Sequence, residues 1–330
     1  MPSSTDRFME RKSFIVRRKW ETAEDICGLE LVPEDGAALD DFEPGAHVEF
    51  FLERGGLPPL VRHYSLCNAP GERDVYVFGV KKETGSRGGS LHIHSLGEGS
   101  RVSLGAIRNH FPLSNEATSH LLLAGGIGIT PLLAMMQALD RDGQLYHLHY
   151  FVRGSEHVAF RERLELARQR GSLFVHAGLD PMQTRRVLQE LLQNASGGAH
   201  AYCCGPGVFM DSVEEIASSS WPLERLHFER FQADASAQHR PEQAFSVVLK
   251  KSGVSCRVEA GQTIIDAMAR AGVEVETSCE QGVCGTCLTR VLEGTPDHRD
   301  AYLNKAERQS GTQILLCVSR SLTPVLTLDR

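Results

Sequence analysis

No stretch of this 330-residue chain is apolar and long enough to read as a membrane span. The one superficial candidate, residues 121–139, is interrupted by Gly125, Gly126, Gly128, Thr130, Pro131 and Gln137, which fits a strand, a tight turn and a helix. The opening MPSSTDRFMERKSF lacks the apolar core and cleavage site of a secretory signal, so a cytoplasmic protein is expected. Positive charge is not in excess. There are 35 Lys and Arg against 42 Asp and Glu, a net charge of −7, which argues against nucleic acid and anionic membranes as general partners. Internal repeats and low-complexity tracts are missing too. What remains is 41% apolar and 23% charged, the balance of an ordinary folded protein rather than a disordered one. At about 100–200 residues per domain, the length implies two or three domains.

Residues 1–116 predict an all-β unit. Short runs at 13–16, 28–32, 47–52 and 75–80 are rich in β-branched and aromatic residues and are separated by Gly- and Pro-containing turns, the pattern of a small antiparallel barrel. Over 117–231 the period changes. Strands at 121–124, 145–152, 173–177 and 200–204 alternate with helices, one of them expected over 156–170 and another opening at Asp180-Pro181, a helix-start pair. That alternation predicts a parallel sheet covered on both faces. Residues 232–243 are polar with a proline and read as a linker. A last domain, 244–330, holds short strands, a helix near 263–271 and closing strands around 314–318 and 325–328.

Nine cysteines in a chain without an export signal are expected to stay reduced, so a cluster of them points to metal rather than disulfides. Cys279, Cys284 and Cys287, followed by Cys317, have the x4, x2 spacing of plant-type 2Fe–2S ferredoxins. Four thiolates must converge on two irons, so three come from one loop and the fourth returns from a distant element. Gly282 and Gly285 let that loop turn its N–H groups inward. A zinc knuckle fits poorly, because zinc sites normally pair two short Cys or His spacings. Cys27, Cys67 and Cys256 read as small buried residues.

Glycines 125, 126 and 128 lie between a buried strand and a helix start, where a pyrophosphate can approach the backbone. The turn departs from G-x-G-x-x-G, and by itself it is equally a packing feature. Cys204, Gly205 and Pro206 end the fourth strand at the same sheet edge, which favours a nucleotide site. In the barrel, Arg62 with Gly88, Gly89 and Ser90 can hold a phosphate, Tyr64 can lie against a ring system and Ser65 can bond a ring atom. The rival reading there is a core tyrosine and a surface turn.

Taken in order, RHYS at 62–65, SRGGS, GGIGITP, YCCGP, HFERF, CEQGVCGTC, DHRD and LCVSR resemble the ferredoxin–NADP reductase superfamily, and more closely the phthalate dioxygenase reductase family. The resemblance covers nearly the whole chain. It implies an antiparallel β-barrel flavin domain, an α/β parallel-sheet nucleotide domain and an α+β ferredoxin domain of the β-grasp type. It implies FMN rather than FAD, contacted by Arg62, Tyr64, Ser65, Val80 and Lys81. Arg87, Gly88, Gly89 and Ser90 would hold its phosphate, with Thr130 approaching from the nucleotide domain and Phe231 near the ring. The nicotinamide dinucleotide would be framed by Gly125, Gly126, Gly128, Cys204, Gly205 and Pro206, with Cys203 pointing to the opposite face by strand alternation. Ser65, Lys81, Cys204 and Phe231 are the residues implied at the reacting rings.

The implied activity is an NADH-dependent oxidoreductase that passes electrons through FMN and a 2Fe–2S cluster, one at a time, to a Rieske-type terminal oxygenase. Arg153 and Ser155 after the second strand of the nucleotide domain keep NADPH open. Glu274, Glu276 and Glu280 flank the cluster loop and can meet a basic partner surface, or form a solvated acidic face. A cytochrome P450 or other haem acceptor, and a non-catalytic flavin and iron–sulfur redox sensor, are the alternatives.

Overall fold

The computed structural model describes residues 11–55, 57–85, 88–195, 197–232 and 242–330. Arg87 and residues 233–241 of the expected linker lie outside the described residues. The chain divides into two compact units, one ending at Glu229 and the other spanning Arg230–Arg330. No helix among the described residues is long and apolar enough to cross a membrane.

The first unit opens with strands β1 (Lys12–Ala23), β2 (Ile26–Pro33), β3 (His47–Arg54), β4 (Leu57–Ser65) and β5 (Tyr76–Lys81). A short helix α1 (Gly89–Ser95) and strand β6 (Arg101–Arg108) follow. The six strands form one antiparallel sheet in the order β4-β3-β6-β1-β2-β5. Its core holds Val48, Phe50 and Leu52 of β3 with Leu29, Leu31, Phe78 and Val80, at the period of two that a strand requires. Phe50 and Phe78 meet edge to face at 4.8 Å, which stabilises the core by about 0.5–1.5 kcal/mol beyond burial alone. The alternate positions of β3, His47 and Glu49, are buried too, at 6% and 0% exposure. Alternation alone would send these polar side chains to water.

The same unit continues with β7 (Ser119–Gly125), α2 (Ile129–Arg141), β8 (Tyr146–Val152), α3 (Arg161–Gln169) and β9 (Leu173–Ala177). Then come α4 (Pro181–Asn194), β10 (Ala199–Cys204), α5 (Gly207–Ala217) and β11 (Leu226–Glu229). These strands are all parallel, ordered β11-β10-β7-β8-β9. The chain leaves β7 toward β8 on one side and returns to β10 on the other, so the turns after β7 and β10 share a topological switch point, where ligands of such sheets bind. The start of α4 is as expected: Asp180 Oδ1 accepts from the Gln183 N–H at 2.8 Å, and Pro181 is the first helical residue. The helix expected over 156–170 begins only at Arg161. Residues 158–160 stay out of it and are buried, with the Ala159 N–H donating to the Tyr150 hydroxyl and Phe160 edge-on to Trp20. Burying those side chains outweighs one more helical turn.

The second unit contains β12 (Phe245–Leu249), β13 (Ser255–Val258), α6 (Ile264–Arg270), β14 (Leu288–Glu293), β15 (Pro296–Asp297), α7 (Lys305–Ser310), β16 (Gln313–Leu315), β17 (Arg320–Ser321) and β18 (Val325–Leu328). Its mixed sheet runs β13-β12-β18-β14-β16, with β12 and β18 parallel. The strand expected over 314–318 ends at Leu315, because the chain must turn there to present Cys317; the Ser319 N–H donates back to the Leu315 carbonyl at 3.1 Å. The entry to this unit is clasped by ions. Arg299 pairs with Asp297 at 2.9 Å and with Glu242 at 2.8 Å, while Arg320 lies 3.6 Å from Glu242 and donates to the Gln262 carbonyl at 2.6 Å.

Candidate redox centre

Four buried cysteines gather in the second unit. Cys279, Cys284, Cys287 and Cys317 are 2–6% exposed, although one comes from beyond β16 and three from the loop before β14. Their sulfurs pair as Cys279 with Cys284 and Cys287 with Cys317. In each pair a shared hydrogen bond pulls one thiol down, Cys284 to about 5 and Cys287 also below its ordinary value. Two adjacent thiol pairs are the donor set that two irons require. The Gln281 N–H donates to Cys279 Sγ at 3.3 Å, and Cys284 Sγ donates to Thr286 Oγ1 at 3.3 Å. Gly282 and Gly285 have φ of 73° and 77°. A Cβ on Gly282 would come 2.5 Å from Val318, and one on Gly285 would come 2.5 Å from the Tyr302 ring. Backbone conformation and crowding both require glycine here. These residues fit a 2Fe–2S group.

In the first unit, the barrel and the parallel sheet meet at β5 and α2. A Cβ on Gly79 would lie 2.8 Å from Thr130 Cγ2 and 2.7 Å from Phe160. Thr130 is buried in this seam, its hydroxyl donating to the Ile127 carbonyl at 2.9 Å. Ser65 ends β4, and its buried hydroxyl has no hydrogen-bond partner among the described residues. A buried hydroxyl left unsatisfied costs about 1–3 kcal/mol, which a bound polar ring atom would recover. Tyr64 packs edge-on to Phe50 at 4.9 Å, and burial pushes its phenol well above the usual range, so it stays neutral. The Arg62 chain lies against Gly89, where a Cβ would meet Arg62 Cγ at 2.9 Å. Gly88 is left-handed, with φ of 96° and open space around it. Ser90 is engaged with its own turn, accepting from the Glu83 N–H at 3.0 Å. Lys81 ends β5 and pairs with Glu83, and Val80 is buried. These residues fit a flavin with a single phosphate.

The turns after β7 and β10 press together at the switch point. A Cβ on Gly128 would lie 2.1 Å from the Cys204 carbonyl oxygen, and one on Gly125 would lie 2.8 Å from Pro206. Gly205 approaches the Gly125 Cα equally closely. These three glycines are therefore demanded by packing. Gly126 alone faces open space, with φ of 53°. Cys203 belongs to the apolar cluster under α4 and α5, and Cys204 lies on the other face of the strand. Burial, and then the charge of Glu229, push the Cys204 thiol well above its ordinary value, so it stays protonated. Phe231 lies two residues beyond β11 and is half-buried. Arg153 and Ser155 are exposed after β8.

Sequence reasoning passed over Glu229 and its surroundings. Glu229 sits beside Cys204 in the β10–β11 register and lies 3.7 Å from His47 of the barrel. The His-Phe-Glu-Arg-Phe run carried the signal: a glutamate closing a strand at the ligand edge of a parallel sheet.

Residues 247–322 match the family described as the 2Fe-2S iron-sulfur cluster binding domain, and residues 122–215 match the oxidoreductase NAD-binding domain. The chain is 42% identical over 318 residues to vanillate O-demethylase oxidoreductase of Pseudomonas putida, covering 96% of this chain and 98% of that protein. The solved phthalate dioxygenase reductase, a modular structure for electron transfer from pyridine nucleotides to [2Fe-2S], is 37% identical with a TM-score of 0.74 and 98% of each chain covered. An intact type IV self-sufficient cytochrome P450 monooxygenase is similar over 97% of this chain and 41% of its own, at 34% identity and a TM-score of 0.79.

Proposed function

The chain belongs to the phthalate dioxygenase reductase family, and on that premise we propose that it is the reductase component of a multicomponent oxygenase, drawing electrons from NADH and delivering them to a Rieske-type terminal oxygenase. The carrying observation is the order of parts on one chain: a seam with an unsatisfied Ser65, a glycine-tight nucleotide edge, and four buried thiols, three from one loop and one from beyond β16. The matched domains name a 2Fe–2S cluster and NAD as groups bound by an oxidoreductase, and FMN is the flavin that the family resemblance implies.

When bound, the flavin and the cluster supply the conversion of a two-electron donor into single electrons. The chain's own residues do the placing. Ser65 offers its buried hydroxyl to a ring atom, and Lys81, at the strand end, favours negative charge that develops nearby. Arg62 with Gly88, Gly89, Ser90 and Arg87 holds the phosphate, the guanidinium fork supplying the charge. Gly126 leaves room for a pyrophosphate to reach the backbone, while Gly125, Gly128, Gly205 and Pro206 hold that turn in shape. Cys204, kept neutral, would exclude water beside the nicotinamide, and Phe231 is the aromatic that the family resemblance implies for the flavin. The four cysteines ligate the cluster. Nine free thiols suit a reducing cytoplasm.

An absorbance spectrum of the purified protein, acid release with mass identification of the flavin, and iron and sulfide analysis should give FMN with two irons and two sulfides. Anaerobic NADH should bleach both chromophores faster than NADPH does, and NADH should drive cytochrome c reduction. No reduction of cytochrome c would remove the reductase reading and leave a sensor. A haem acceptor is the second reading, favoured by the likeness to the reductase portion of the P450 monooxygenase. Turnover with a Rieske oxygenase set against turnover with a P450 separates the two.

A further inference from the structure

His47 and Ser65 are directly paired across β3 and β4, and Cys204 and Glu229 across β10 and β11. Between the two pairs, His47 Nδ1 lies 3.7 Å from Glu229 Oε1, with side-chain exposures of 8% and 11%. The other polar atoms of this contact, His47 Nε2 and Glu229 Oε2, are buried with no hydrogen-bond partner among the described residues. Behind His47 the barrel supplies further charge. The His63 ring stacks on it at 5.0 Å, and the His110 ring lies tilted against it at 5.5 Å. Glu49, fully buried, lies 3.6 Å from Arg108 and 3.8 Å from His63.

The charges can be assigned one at a time. Glu49 is balanced by Arg108. Burial, reinforced by the charges of His47, Arg108, His110 and Arg62, pushes His63 down to about 3, so it is neutral at ordinary pH. His47 is then the group paired with Glu229 among the described residues. A buried carboxylate without such a partner would take up a proton.

We propose that His47 is a positioning residue for the nicotinamide side of the reaction: reaching across the seam from the barrel, it keeps Glu229 ionised beside Cys204. A carboxylate fixed there would favour the positive charge that a nicotinamide ring gains on giving its hydride to the flavin. This rests on the reading that Cys204 faces the nicotinamide. Within that reading, the barrel sets the charge state of a group in the nucleotide domain, in addition to holding the flavin.

The test uses the flavin-loaded full chain and two readouts across pH. One is NAD⁺ affinity by protein-fluorescence quenching, which needs no turnover. The other is the single-turnover bleaching rate with NADH. In the parent, both should weaken on the acid side. In His47→Asn, the acid limb should move up by about 1–3 pH units, the shift expected when an opposite charge at this distance is removed. His47→Lys should bring it back toward the parent position. In Glu229→Gln the limb should vanish, and the double variant should match Glu229→Gln. An acid limb unmoved in His47→Asn overturns the proposal. If that variant fails to fold, Glu229→Gln carries the test, and a limb persisting in it overturns the proposal. Absence of NADH reduction at every pH in the parent would instead remove the reductase reading.

Discussion

At the scale of single residues, similar-looking motif positions divide by what their atoms touch. Glycines 125 and 128 read equally as clearance for a ligand or as packing, and with Gly205 each faces protein backbone or ring atoms closer than a Cβ tolerates. Gly128→Ala should therefore destabilise the first unit by about 1–3 kcal/mol or more, the usual cost of overpacking, because the obstructing atom is the Cys204 carbonyl and cannot swing away. The denaturation midpoint followed by flavin release reads this directly. At Gly126 the same substitution meets no atom, and strain from its positive φ is the whole cost. The cysteine ligands make a sharper claim. Cys287→Ser should remove or reshape the visible cluster absorption while leaving flavin bound, since Cys287 and Cys317 belong to the second unit and Arg62, Tyr64, Ser65 and Lys81 to the first. An unaltered cluster spectrum in that variant sinks the assignment.

Elements are held by caps and clasps that local sequence shows only in part. Asp180 before α4 and Thr263 before α6 both form reciprocal capping boxes, and the first was legible because Pro181 follows it. The clasp at the entry to the second unit was not legible, since Glu242, Arg299 and Arg320 are far apart in sequence. Burial opposes ionisation of Glu242, but the Gly261 N–H and the Arg320 and Arg299 guanidiniums outweigh it and hold the carboxyl below its ordinary value. The fold thus favours the carboxylate. Its contribution is complete above the unfolded value of about 4.3 and is lost as the pH falls through the lower folded value. Glu242→Gln should then be less stable than the parent at pH 7, with the gap closing as the pH is lowered toward about 4. Urea titrations followed at the cluster chromophore would check this; a gap that does not depend on pH would assign Glu242 a packing role instead.

For the whole molecule, the net charge of −7 is too diffuse to name a partner. Glu274, Glu276 and Glu280, all exposed beside the cluster loop, localise negative charge where electrons would leave. If they steer docking, reaction with the partner oxygenase should slow as salt rises. Reversing the three charges to Lys should slow it further and flatten the salt dependence, while NADH reduction of the flavin holds. Stopped-flow measurement over a salt series decides between docking and a merely solvated face. The amino-acid sequence by itself determined the succession of an antiparallel sheet, a parallel sheet and a cysteine-bearing mixed sheet, because strand alternation, helix starts and the x4, x2 cysteine spacing are local patterns. Tertiary structure alone decided that the alternate face of β3 is buried, that three glycines serve packing, and that His47 meets Glu229. Those facts depend on side chains brought together from strands 182 positions apart in the chain (229 − 47), and no local rule encodes which polar groups a second sheet will cover.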